Sequence, residues 1–506
     1  MAARMGMSRI SATIACAAAA IAVGAGPAHA HAFGERYDLP LPLNLYLVGA
    51  AAAVVVSFIV IGLFVRDASW LRPYPRLDLL DYRLGRLAAH PAVVFAVQLI
   101  SVLLFALVVA AGLFGNQDPL RNLAPVTVWI VWWVGMAVVS AFVGDLWALI
   151  NPWRTVYAWA EALWRRARPG RAFGLGLAYP RALGVWPAVA LLLAFTWSEL
   201  ISSRPAAPFY IGSMALGYSA LTWGGMFLFG RERWLRHGEV FSVVFGVLAQ
   251  FAPMGAGGTN GRGWILRPFA VGLLHDEPAA VSMVAFVLLY IVGVIFDGVL
   301  ATPGWAWLEA QAMPLLPIAV ETSRTIVRTA GLLGLWLLCA GLYLLTCGAM
   351  AAFAGGRSTA GEIARRFVFT LVPIAIAYHL AHYLTYLLIQ GQYAIRLISD
   401  PFGLNWNLLG TAAYRIDVGI VGARFSWYAA VAAIVTGHIV AVFLGHVGAI
   451  ARFGARGPAL RSQGPLTALM VVFTVASLSI MAEPIVQKAR PASQPPSFAV
   501  AAVQVP

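Results

Sequence analysis

Apolar positions in this chain fall in long unbroken runs, without the period-two alternation of a half-buried strand or the single stripe of a surface helix. Ten runs, 43–65, 91–114, 125–149, 183–202, 209–229, 279–300, 329–353, 367–390, 427–450 and 465–483, match the roughly 20 residues a helix needs to cross a hydrocarbon core. In lipid every backbone N–H and C=O must be satisfied inside its own segment, so such runs read as helices. The pattern predicts an all-α polytopic membrane bundle of about ten transmembrane helices, a single domain over 31–483. One stretch, 240–275, departs from it. If the apolar residues from Val240 to Met254 crossed alone, the loop holding Arg357, Arg365 and Arg366 would change sides. We therefore read 240–275 as interfacial or re-entrant. The glycine run from Gly255 to Gly261 within it lacks the Gly-Lys-Ser/Thr ending of a phosphate loop and reads as a turn.

The two ends read differently from the body. Arg4 and Arg9, a short apolar stretch from Ile10 and then Ala28-His29-Ala30 form the pattern of a cleavable signal peptide over 1–30. Cleavage would leave His31 first, where its amine and ring could chelate copper. After Pro484 the chain is rich in Pro, Ser and Gln and reads as a flexible tail over 484–506.

Composition narrows the class. With 61% hydrophobic and 11% charged residues over 506 positions, a soluble globular enzyme and a disordered chain are both excluded. The net charge of +14 raises the question of a nucleic-acid partner. The basic residues, however, lie in short clusters between the apolar runs. Most fall in loops 66–90, 151–182, 230–278, 354–366 and 452–464, which alternate to one side of the bundle. That is the positive-inside bias that orients membrane helices, so the partner is the lipid bilayer and no nucleic acid is called for. The bias puts the mature N-terminus outside. Cys16, Cys339 and Cys347 can build neither a disulfide framework nor a zinc knuckle. No internal repeat pairs the helix breakers Pro187, Pro253 and Pro373, which weakens an inverted-repeat transporter.

Chemistry has to come from polar residues inside the bilayer, where each is costly. Tyr378-His379-Leu380-Ala381-His382-Tyr383 lies in run 367–390, and His438 and His446 in 427–450. Counted from the outer helix ends, His379, His382 and His438 all lie roughly 12 to 16 Å deep, and His446 about 12 Å deeper than His438. Three imidazoles at one level could form the shell of a divalent transition metal, zinc or another. Glu199 and Asp297 are the candidate catalytic carboxylates, either completing the shell or acting as base toward a bound water. Simple interhelical hydrogen bonding remains the alternative for every one of these residues. His446 and Asp145 read as a structural pair. Arg396, Asp400, Arg415, Asp417 and Arg424 in the outer segment 391–425 could belong to a lid or to a solvated loop.

Several motifs also resemble a known family. His31-Ala32-Phe33-Gly34-Glu35-Arg36-Tyr37-Asp38-Leu39-Pro40-Leu41-Pro42, Asn151-Pro152-Trp153-Arg154-Thr155, Phe296-Asp297-Gly298, Tyr378 to Tyr383, and Gly437-His438 through Gly445-His446 resemble the bacterial multispanning membrane proteins called fenitrothion hydrolase. The resemblance spans nearly the whole chain. It implies hydrolysis of organophosphorothioate triesters with release of a nitrophenol, in the bacterial cytoplasmic membrane, with a related membrane subunit as a possible partner. It supplies no catalytic residues. Such a triester is a neutral, lipophilic small-molecule substrate that would collect in the bilayer and needs an activated water more than a phosphate clamp. Two other classes fit the same histidines: a haem- or copper-binding redox protein with His438 and His379 or His382 as ligands, and a metal or small-solute transporter.

Overall fold

The computed structural model describes residues 41–66, 74–257, 263–275, 277–356, 358–454 and 456–483. The expected signal peptide over 1–30, His31 and the expected tail over 484–506 lie outside the described residues. The principal helices are α1 Leu43–Phe64, α2 Pro91–Phe114, α3 Leu123–Phe142, α4 Pro152–Ala167, α5 Trp186–Leu200, α6 Pro208–Phe229, α7 Val240–Leu248, α8 Val281–Leu300, α9 Val320–Phe353, α10 Val372–Gln390, α11 Ala423–Phe453 and α12 Arg456–Ala482. Among the described residues nine helical segments, all of these but α4, α6 and α7, are long and apolar enough to cross a membrane. The chain is a multi-pass membrane helix bundle. The run at 209–229 does form a 22-residue helix, α6, but its Gly, Ser, Thr and Tyr content keeps it below the apolarity of the nine.

The segment holding α10 is the core of the bundle, with 83% of its most apolar stretch buried, whereas α2 at the periphery has 6%. Close packing of α10 on α11 depends on Gly437. A side chain there would meet the Ala377 methyl and, at 2.7 Å, the Pro373 carbonyl oxygen. The run expected over 125–149 breaks after Phe142, and a separate turn of helix, Trp147–Ile150, follows. Within α3, Val126–Val134 is wound as a π-helix, a form that concentrates at functional sites.

Between α6 and α8 the chain does not cross as one helix. The nine residues of α7 rise only about 13 Å, and they pack against α3 and α5 through Phe241 and Phe245. A small antiparallel sheet follows. Strands β1 Leu77–Asp78, β2 Met254–Gly257 and β3 Gly263–Leu266 run in the order β1-β3-β2, with Leu266 opposite both Leu77 and Met254.

Candidate functional site

Four helices bring polar side chains to one place near the ends of α5 and α8. Asp297 stands one turn before the end of α8, and its Oδ2 accepts from His382 Nε2 at 2.9 Å and from Tyr383 Oη at 2.8 Å. A carboxylate only accepts, so His382 carries its proton on Nε2 and leaves Nδ1 as the basic nitrogen. The side chains are partly open, 18% exposed for His382 and 30% for Asp297.

Glu199, the penultimate residue of α5, faces the same spot. Its carboxylate is within electrostatic reach of Asp297 and of the Trp133 indole N–H. Behind the pair, His379 Nδ1 lies 3.3 Å from Tyr290 Oη, and the His379 ring packs against Trp133 and Tyr383. Gly298 keeps this corner tight. A Cβ on it would stand 2.5 Å from Tyr378 Oη and 2.7 Å from Ile480.

The three histidines do not form the shared shell expected from their depth. His438 Nδ1 bonds the Ile434 carbonyl of its own helix at 2.8 Å, and its buried Nε2 has no partner. His379 turns to Tyr290 while His382 turns to Asp297. Among the described residues no three His, Cys, Asp or Glu side chains are grouped to hold a metal ion. Common depth along two helices leaves the rotation of each about its axis free, and that rotation separates the rings. The donors at the pair, one imidazole and one carboxylate already bonded to each other, do not fit the expected metal shell.

Other expectations are corrected as well. His446 does not pair with Asp145. Its Nδ1 meets Gln463 Oε1 at 2.9 Å and its Nε2 meets the Val65 carbonyl at 2.8 Å, tying α11 to α12 and to the end of α1. Asp145 instead accepts from the Ala148 amide. The two aspartates of the 391–425 segment serve its own turns: Asp400 accepts from Leu404 and Asn405 amides, and Asp417 from Gly419. Backbone bonds from Asn116 to Phe402 and from Leu123 to Pro401 fasten the segment to the bundle.

Tyr383, Tyr290 and Trp133 belong to the site without having been singled out. Two of them carried a signal. Tyr290 precedes Asp297 by seven residues and so shares its helix face, and Tyr383 directly follows His382. Trp133 carried none, because its direction depends on the π-helical winding.

One more polar centre lies away from this site. Glu239, fully buried, caps α7 by accepting from the Phe241 and Ser242 amides at 3.0 and 2.7 Å, and also takes bonds from Asn151 Nδ2 at 3.1 Å and from Tyr218 Oη. All of its acceptor capacity is used within the fold, which marks it as structural.

No known protein family, no curated protein and no solved structure matches the chain.

Proposed function

We propose that the chain is a membrane-bound hydrolase of neutral, lipophilic esters, of the organophosphorothioate triester class, working through the Asp297–His382 pair. The observation that carries the reading is the bond from His382 Nε2 to Asp297 Oδ2 between two partly exposed side chains of the bundle. The motif resemblance to the fenitrothion hydrolase family supports the substrate class. The charge bias of the loops supports a bacterial cytoplasmic membrane setting with this end of the bundle facing the periplasm.

In this reading His382 Nδ1 removes a proton from a water molecule as the water oxygen attacks phosphorus. The phosphorus–aryl-oxygen bond breaks, its electron pair leaves on the nitrophenolate, and the imidazolium returns the proton to that oxygen. Asp297 holds the ring in the basic tautomer and stabilises the imidazolium, and Tyr383 holds Asp297 in place. Glu199 stands beside Asp297 and the Trp133 indole and closes that side of the pair. The test is nitrophenol release by the purified chain in liposomes, wild type against His382→Gln. Release by the wild type that falls by about 10²-fold or more in the variant is expected. Equal rates, or no release from either, would remove the proposal.

A second reading rests on the same carboxylates. Glu199, Asp297 and His382 form a titratable set within the membrane, as on a proton-coupled solute pathway. Proton-driven uptake into proteoliposomes with no ester turnover would favour it.

A further inference from the structure

A large cavity lies elsewhere in the bundle. It has a volume of about 680 Å³ and lies among α2, α3, α5 and α6, with α7 at its floor. Sites for small molecules occupy about 300 to 1,000 Å³. Its walls are α2 from Val97 to Val108 and α6 from Tyr210 to Leu221. Eleven residue steps in either helix give a slot roughly 16 Å long along the helix axes, about half of a 30 Å hydrocarbon core.

The two wall helices touch at one end, where a Cβ on Gly112 would come within 2.7 Å of the Pro208 carbonyl oxygen and 3.1 Å of Gly212. Beyond that contact the rim residues Ile100, Leu104, Val131 and Leu221 are all exposed on the surface that faces lipid, from 43% to 56%. The rear wall is aromatic, with Trp132, Trp153, Phe195 and Phe241. No charged side chain lines the space, and four of its hydroxyl side chains are engaged: Ser198 with Tyr210 at 2.9 Å, Ser101 with the Ile150 carbonyl, Tyr218 with Glu239. The Trp132 and Trp147 indole N–H groups on its walls have no hydrogen-bond partner among the described residues, and two such donors are too few to fill a space of this volume with ordered water.

We infer that this slot binds the hydrocarbon of a bilayer lipid, whose acyl chains enter sideways between α2 and α6 from one leaflet. Length, lack of charge and continuity with the lipid-facing surface all point to that occupant. The slot is a site distinct from the Asp297 pocket. Trp132 and Phe195 line it, while the adjacent Trp133, packed on Phe195 at 4.7 Å, faces His379.

The experiment uses the full chain in phosphatidylcholine vesicles containing a phospholipid with a photoactivatable diazirine midway along one acyl chain, followed by mapping of labelled peptides. Labelling of Trp132, Trp153 or Phe195 at a level comparable with exposed Val48 and Val56 of α1 is expected. Gly217 lines the slot with nothing within 4 Å of an added Cβ, so Gly217→Trp starts its bulky side chain from an unobstructed position on the slot's wall. That variant should lose rear-wall labelling several-fold while α1 labelling is unchanged, and Gly217→Leu serves if the larger substitution does not fold. Rear-wall labelling that is absent in the wild type, or unchanged in a folded filled variant, overturns the inference. So does labelling by a free aryl diazirine but not by the lipid, which would make the occupant a small lipophile, and so does crosslinking of the slot to a second copy of the chain.

Discussion

Asp297→Asn is the sharpest perturbation of the proposed chemistry, because it changes almost nothing in volume. In the wild type Oδ2 accepts two bonds, 2.9 Å from His382 and 2.8 Å from Tyr383. An asparagine that places its amide NH₂ there would donate to His382 Nε2 and drive the proton onto Nδ1, removing the base. One that places its oxygen there keeps both bonds but loses the charge that stabilises the imidazolium. Both outcomes strike the same step, and general-base catalysis is worth about 10²–10⁴-fold, or about 2.7 to 5.4 kcal/mol of barrier. Folding should suffer less. A lost charge-assisted bond costs about 1.5–3 kcal/mol, and no longer holding a carboxylate inside the bundle offsets part of that. The assay is nitrophenol release in liposomes, with thermal unfolding in detergent measured beside it. A folded Asp297→Asn protein that retains the wild-type rate would refute the assignment of His382 as the base.

Glu199→Gln, which keeps the shape and a hydrogen-bonding oxygen near the Trp133 indole, should leave both the rate and the unfolding temperature little changed; a rate that falls by about 10-fold or more, near 1.4 kcal/mol of barrier, would give Glu199 a part in the proton transfer. Gly437→Ala should destabilise the bundle by about 1–3 kcal/mol despite the better helix propensity of alanine, because the Pro373 carbonyl at 2.7 Å belongs to backbone and cannot swing away. Denaturant unfolding reads that change, and a more stable variant would contradict the α10–α11 packing. Glu239→Ala should cost at least about 2 kcal/mol, since it strips the cap of α7, leaves the Tyr218 hydroxyl without its acceptor and leaves Asn151 Nδ2 only the Ser242 hydroxyl at 3.3 Å; Tyr218→Phe, which removes one donor and keeps the cap, should cost less, and the reverse order of the two would argue against the network.

Much of the architecture is carried by local composition. A run of some 20 apolar residues has no other stable form in lipid than a helix, so the membrane bundle follows from the chain read alone, down to most helix boundaries. The same economy picks out Asp297, Glu199, His379, His382 and His438, because an ionisable group in such a run is costly enough to be conspicuous. What depends on packing is which of them meet. Depth can be counted along a helix, but rotation about its axis is set by neighbours: glycine contacts at Gly298 and Gly437, and the π-helical turn that brings Trp133 against His379 while Trp132 lines the cavity. Those contacts send His382 to Asp297 and leave His438 on its own helix, and they open between α2 and α6 a cavity that no single helix encodes.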